Sequence, residues 1–182
     1  MEFAALYDAF SRGADQPLPA LPIQYADFAH WQRQWLQGEV LTQQLDYWLT
    51  QLNGLPAVHG LHLDFPRSAV KRFAGALHSQ RLDQPLIERL RKLSLERGTT
   101  LFMTLQAAFA VLLARCSGET DIVMGTPIAN RTQAELSPLI GFFVNTLVLR
   151  SNLSGNPSFS DVLQQTRKTA LEAYEHQHIP FE

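Results

Sequence analysis

Residues 98–130, GTTLFMTLQAAFAVLLARCSGETDIVMGTPIAN, decide the fold. From Leu101 onward, Phe102, Leu105, Ala108, Phe109, Leu112 and Leu113 recur at helical spacing. Ala107, Ala110, Val111 and Ala114 between them are apolar as well, which predicts a central helix covered on most sides, with Phe109 inside. Thr99 and Thr100 offer capping hydroxyls at its start, and Gly118 stands where a helix stops. Ile122-Val123-Met124, bounded by Gly125 and Pro127, is too short for a helix and reads as a buried strand. A buried helix feeding a buried strand is an α/β signature.

Working outward, Glu2 to Phe10 reads as the tail of a helix with Phe3, Leu6, Tyr7 and Phe10 on one face. Its start without a cap suggests an element beginning upstream. Ser11 to Pro22 is a proline-punctuated connector. A helical region opens at Tyr25 and runs to about Leu52, with a break near Gly38, and Asn53-Gly54 ends it. Residues 55–72 form a loop, Gly75 to Leu82 alternates as a strand does, and Pro85 to Arg97 is an amphipathic helix. Arg131 to Pro138 is polar and helical or looped, whereas Leu139 to Leu149 is a near-continuous apolar run expected to be a buried strand. A last helix runs from Pro157 to about Tyr174.

Composition narrows the function classes. Hydrophobic content of 46% and charged content of 18% over 182 residues belong to a globular domain with a real core. No apolar run reaches the roughly 18 residues of a membrane span, and the acidic start lacks the features of a signal peptide. Cys116 is the only cysteine, which excludes an internal disulfide, favours a cytoplasmic setting and suits a core-filling role. The net charge of −2 hides a basic stretch over residues 67–97, but no aromatics interleave it as a nucleic-acid surface requires. No glycine-rich phosphate loop and no nucleophile elbow occur. His176 and His178 alternate on one segment, yet two ligands do not make a zinc site, and His59 and His62 sit in a loop, so no metal is expected.

Four strings in order carry a sharper signal: YADFAHW at 25–31, GTPIANR at 125–131, IGFFVNTLVLR at 140–150 and HQHIPFE at 176–182. With WQRQWLQGEVL at 31–41 they resemble the condensation domains of nonribosomal peptide synthetases over essentially the whole chain. That resemblance implies an α/β, chloramphenicol-acetyltransferase-like (CoA-dependent acyltransferase) fold of two lobes around a tunnel. Residues 1–22 would be the end of the N-terminal lobe and a connector, and 23–182 the C-terminal lobe, truncated at its end. It further implies peptide-bond formation between thioesters that donor and acceptor carrier proteins bring on phosphopantetheine, next to an adenylation domain. No cofactor would bind directly, and neither nucleic acid nor membrane would be a partner. The family's HHxxxDG string, which carries its key histidine, is not in this sequence. The chain alone is therefore expected to be inactive, with no catalytic residue of its own.

The positions that match the family's motifs, as packing or tunnel-lining residues, are Tyr25, Asp27 and Trp31; Gly125, Pro127, Asn130 and Arg131; Gly141, Phe143, Asn145 and Thr146; and His176, Gln177, Pro180, Phe181 and Glu182. Asp27 suits a cap or turn buttress. Asn145 is an amide in an apolar strand that must find partners or face a cavity. Alternation places it with Phe143 and Leu147 on one side, the expected core side. His178 stands where the family has an acid, which removes a negative charge. The strings most resemble the subclass that joins L-configured substrates. An epimerisation domain of the same fold and a non-catalytic carrier-docking lobe are the alternatives.

Overall fold

The computed structural model describes residues 2–66, 70 and 74–181. Met1 and Glu182, and the basic residues Arg67, Lys71 and Arg72, lie outside the described residues. In chain order the elements are α1 (Glu2–Ser11), α2 (Tyr25–Trp35), α3 (Gly38–Gln51), α4 (Gln84–Glu96), α5 (Leu101–Ser117), β1 (Asp121–Ile128), a 3-10 turn at Ala134–Leu136, β2 (Asn145–Asn152) and α6 (Phe159–Glu175).

The helix-then-strand unit forms as its sequence predicts at both ends. The Thr100 hydroxyl accepts from the Met103 N–H at 3.2 Å, and Gly118 closes α5 in the left-handed conformation at φ 75°. That conformation costs a residue with a Cβ about 1–2 kcal/mol, so glycine suits it. The Thr99 hydroxyl turns instead to the Ser94 carbonyl, tying α4 to α5. Ser94 and Thr104 are buried and exchange a hydroxyl–hydroxyl bond of 2.7 Å, which satisfies both in an apolar setting.

β1 and β2 pair antiparallel in register from Asp121 opposite Asn152 to Ile128 opposite Asn145. Along β2 burial alternates: Asn145, Leu147, Leu149 and Ser151 are buried, and Thr146, Val148 and Arg150 are half-buried. Period-two burial of this kind marks a sheet with one face on the core. α6 packs on β2 and α5 on β1 and α6. Ala107 meets Val162 and Leu163, while Ala173 meets Leu147 and Leu149. The alanines, fully buried at 0% exposure, let the helix backbones come close. The Ser158 and Asp161 side chains cap α6 reciprocally.

Five expectations need correction. α5 is not covered all round: Ala107 and Ala110 are buried, but Phe102, Leu105, Phe109 and Leu112 are 41–53% exposed. α4, α6 and β1 take one side of the helix and leave that apolar stripe open. Cys116 lies exposed, not in the core, because its place on the wheel is that same stripe. Gly75 to Leu82 forms no strand, and every residue in it is exposed, Leu77 at 93%. No other segment among the described residues hydrogen-bonds to it as a ladder partner, and extended backbone without a partner is no strand. β2 starts at Asn145, not Leu139. Residues 139–144 curl so that Leu139 and Phe143 enter a core cluster with Phe28 and Leu136, leaving Ile140 and Phe142 at the surface. β1, in turn, runs five residues longer than Ile122 to Met124.

No single helix among the described residues is long and apolar enough to cross a membrane.

Candidate functional site

The four strings, spread from residue 25 to residue 182, converge on one face. Phe143 is the first meeting point. The Tyr25 ring stands edge-on to it at 5.1 Å, Phe28 tilts against it at 4.9 Å, and the Arg131 guanidinium lies 4.1 Å above its centre. A cation over a ring gains from the ring quadrupole. Arg131 also donates to the Leu136 carbonyl, which fixes the 3-10 turn. Tyr25 donates its hydroxyl to the Phe142 carbonyl at 3.0 Å. A Cβ on Gly141 would overlap the Tyr25 ring, so the glycine permits this approach. Asp27 does what its position suggested, accepting from the Gln24 N–H at 2.8 Å at the start of α2. Asn130, between β1 and the turn, takes a positive φ of 51°, a conformation asparagine tolerates.

From Phe143 an aromatic row runs along α2. Phe28 meets Trp31 at 5.9 Å, Trp31 stacks on Trp35 at 5.5 Å and 11°, and Trp35 meets the edge of His178 at 4.8 Å. The row therefore ends on His178. Burial lowers the His178 pKa from its ordinary value, because a half-buried imidazolium loses hydration.

Asn145 is the second meeting point. Its Nδ2 donates to the Gln177 carbonyl at 2.9 Å and the Ile179 carbonyl at 2.7 Å. Its Oδ1 accepts from the Thr146 N–H at 2.8 Å and the Phe181 N–H at 3.1 Å. One buried amide thus clamps residues 177–181 to the start of β2. The neighbouring residues are held from α3: Trp48 donates to the His176 carbonyl at 2.8 Å, and Tyr47 stacks on the His176 ring at 4.0 Å and 10°. Burial, with Glu172 and Glu175 nearby, pushes the Tyr47 hydroxyl up to about 12, so it stays protonated. Between the clamped segment, α3 and β2 lies a cavity of about 120 Å³, lined by Trp48, Leu52, Thr146, Val148, Ile179, Pro180 and Phe181.

Gly125 and Pro127 sit in β1 opposite Val148 and Thr146. Proline there suits an outer strand, since it cannot donate to a ladder on both sides. Sequence reading passed over Tyr47 and the grip of Arg150. Arg150 holds Asp121 with two N–H donors at 2.9 and 2.7 Å and gives another nitrogen to the Gln51 and Asn53 carbonyls, capping the end of α3. This bond holds the Asp121 carboxyl below its usual range. An aspartate opening one strand and an arginine near the end of its antiparallel partner were the available signal. Among the described residues no three His, Cys, Asp or Glu side chains gather as metal ligands. The cluster is apolar and aromatic, with its polar groups spent on fixing backbone. It is built to shape a surface and does not display a nucleophile beside a base.

Comparison with known proteins matches these features. The family model described as "Condensation domain" covers residues 1–182. A linear gramicidin synthase of Brevibacillus parabrevis is 53% identical over 181 residues, and malpinin synthetase of Mortierella alpina is 45% identical. Each match takes in all of this chain but only 4% and 2% of those proteins. Among solved structures, the X-domain from teicoplanin biosynthesis aligns with a TM-score of 0.87 at 29% identity, over 96% of this chain and 40% of that one. The condensation domain of the Monacolin K polyketide synthase MokA aligns at 0.75 and 26%, over 99% and 43%. The architecture is the CoA-dependent acyltransferase fold, and the chain belongs to the condensation-domain family of peptide synthetases.

Proposed function

We propose that the chain supplies the C-terminal lobe of a nonribosomal peptide synthetase condensation domain, which joins two carrier-bound aminoacyl or peptidyl thioesters in the cytoplasm. In that reaction the acceptor amine nitrogen attacks the thioester carbon, the C–S bond breaks, and the thiol leaves with the proton the amine gives up. Donor and acceptor carrier proteins, their phosphopantetheine arms and an adenylation domain are the partners this reading requires. The single observation that carries it is the convergence of the four family strings through Phe143 and Asn145 into one locked face. The lobe's part is positioning. Proton transfer falls to a histidine motif that residues 1–182 do not contain, and without it the chain alone is inactive. Such transfer is typically worth about 10²–10⁴-fold.

A chimera tests this. The matching 181 residues of the linear gramicidin synthase are replaced by this chain, and both carriers are loaded. Mass spectrometry should detect the condensed product with the donor configuration retained. A folded chimera with loaded carriers and no product would sink the reading, and an inverted α-carbon would favour the epimerisation alternative. A second reading, a lobe that binds without turning over, has its own support: the teicoplanin X-domain, aligned at a TM-score of 0.88, is known in complex with OxyB. A chimera that docks carriers tightly but never condenses would favour it.

A further inference from the structure

Asn53-Gly54, the only Asn-Gly pair in the sequence, follows the end of α3 and has no part in the site above. Both residues are exposed, and Gly54 takes a left-handed φ of 71° with nothing within 4 Å of where a Cβ would stand. Neither the Gly54 N–H nor the Asn53 side-chain amide makes a hydrogen bond among the described residues. The Asn53 backbone carbonyl, in contrast, accepts from Arg150 Nη1 at 2.8 Å. Asp121 occupies Nε and Nη2 of that arginine and leaves Nη1 to the Gln51 and Asn53 carbonyls. The Asn53 carbonyl and the Gly54 nitrogen belong to one peptide group, whose resonance puts the charge of a deprotonated nitrogen on the oxygen. The Arg150 cation therefore stabilises the anion formed when Gly54 loses its proton, because a charge-assisted bond is the stronger kind. Glycine also has no side chain to shield that nitrogen from the neighbouring amide carbon.

We propose that Asn53 is a site of spontaneous deamidation, activated by Arg150. The Gly54 nitrogen gives its proton to solvent hydroxide and attacks Asn53 Cγ. A new C–N bond closes a cyclic succinimide, the bond from Cγ to the amide nitrogen breaks, and ammonia leaves with a proton taken from water. Water then opens the ring at either carbonyl, giving aspartate or isoaspartate. In sum a water is consumed and an ammonia released, with no change of oxidation state. The product carboxylate stands at the C-terminal end of α3, where the helix dipole disfavours an anion, but beside Arg150, which attracts it. In the isoaspartate form the chain runs through the former side chain, and the oxygen that Arg150 grips becomes part of a free carboxylate. The tie between the end of α3 and the β1–β2 hairpin is thereby remade.

The test incubates this chain in mildly alkaline buffer and follows its peptides by mass spectrometry, with isoaspartate methyltransferase labelling as the probe of the isoaspartate product. Peptides spanning Asn53 should gain the mass difference between amide and acid and take up the label. Those spanning Asn130, Asn145, Asn152 and Asn156 should stay unchanged over the same time. Asn53→Gln, whose longer side chain closes its ring far more slowly, should lose the signal. A synthetic pentapeptide of residues 52–56, Leu-Asn-Gly-Leu-Pro, supplies the reference rate without Arg150. Folding ordinarily slows this cyclisation by holding the chain, so conversion at least as fast as in the peptide marks the activation. Arg150→Gln, checked for its fold by circular dichroism, should slow conversion roughly tenfold, the factor that one charge-assisted hydrogen bond supplies. The proposal is overturned if Asn53 stays an amide while the pentapeptide converts, or if the chain converts more slowly than the pentapeptide. It is also overturned if a folded Arg150→Gln chain converts as fast as the parent; should that variant not fold, the peptide comparison decides alone. None of these readouts depends on condensation, so they stand apart from the catalytic proposal.

Discussion

Replacing Asn145 with leucine should release the 177–181 segment and destabilise the chain by about 2 kcal/mol. The figure follows from the bonds. Two N–H groups donate to the Gln177 and Ile179 carbonyls, and one oxygen accepts from Thr146 and Phe181. A neutral hydrogen bond is worth about 1 kcal/mol net, and a buried partner left unpaired costs about 1–3 kcal/mol. Residues 177–179 are only half-buried and Phe181 is exposed, so water can reach some of the stranded groups. That keeps the loss below the sum of the bonds. Leucine, similar in volume, recovers roughly 1 kcal/mol through its extra apolar burial. For a chain of this size about 2 kcal/mol lowers the Tm by about 4–8 °C. Urea melts followed by circular dichroism measure the stability, and hydrogen exchange reads the segment directly. Exchange over residues 177–181 should accelerate while that of β2 beyond Leu147 holds. An unchanged melt with unchanged exchange in 177–181 would refute the clamp. It would then be necessary to look for another anchor for this segment.

Gly141→Ala should cost about 1–3 kcal/mol, because its methyl meets the Tyr25 ring inside a packed cluster; a neutral result in the same melts would show that the ring can move aside. His178, whose pKa is lowered by burial, binds a proton more readily when unfolded. Its contribution to stability is full above about pH 6.5 and declines as pH falls below that value, so His178→Asn should flatten the melting profile between about pH 7 and 5. An identical profile would remove His178 from the account. Asp121 has a folded pKa lowered by the Arg150 hydrogen bonds, so its stabilisation is present above about pH 4 and lost in more acidic solution. Asp121→Asn should weaken the chain at pH 7 and bring its acid unfolding curve closer to that of the parent at the low-pH end. Parallel curves displaced equally at every pH would contradict this.

Local rules account for what the linear sequence determined. Helix period, capping hydroxyls and Gly118 located α5, and the same cues located α2, α3, α4 and α6 to within a few residues. Alternation placed Phe143, Asn145 and Leu147 on the core side, and the burial of all three agrees. Each of these depends on residues within one or two turns of one another. The ordered strings then indicated a family, which the comparisons establish. What only the tertiary structure decided depends on distant neighbours. The Gly75 to Leu82 alternation has no ladder to join, and the Leu139 to Phe143 run curls because Tyr25 and Phe28 draw Phe143 into their own cluster. Apolar content told nothing about which side of α5 would be covered, since that is set by where α6 and β1 pack. Nor did spacing show that Asn145 would bind the backbone of 177–181, more than thirty residues away. A hydrogen-bonding amide is visible in a sequence, but its partner exists only once the chain has brought the two together.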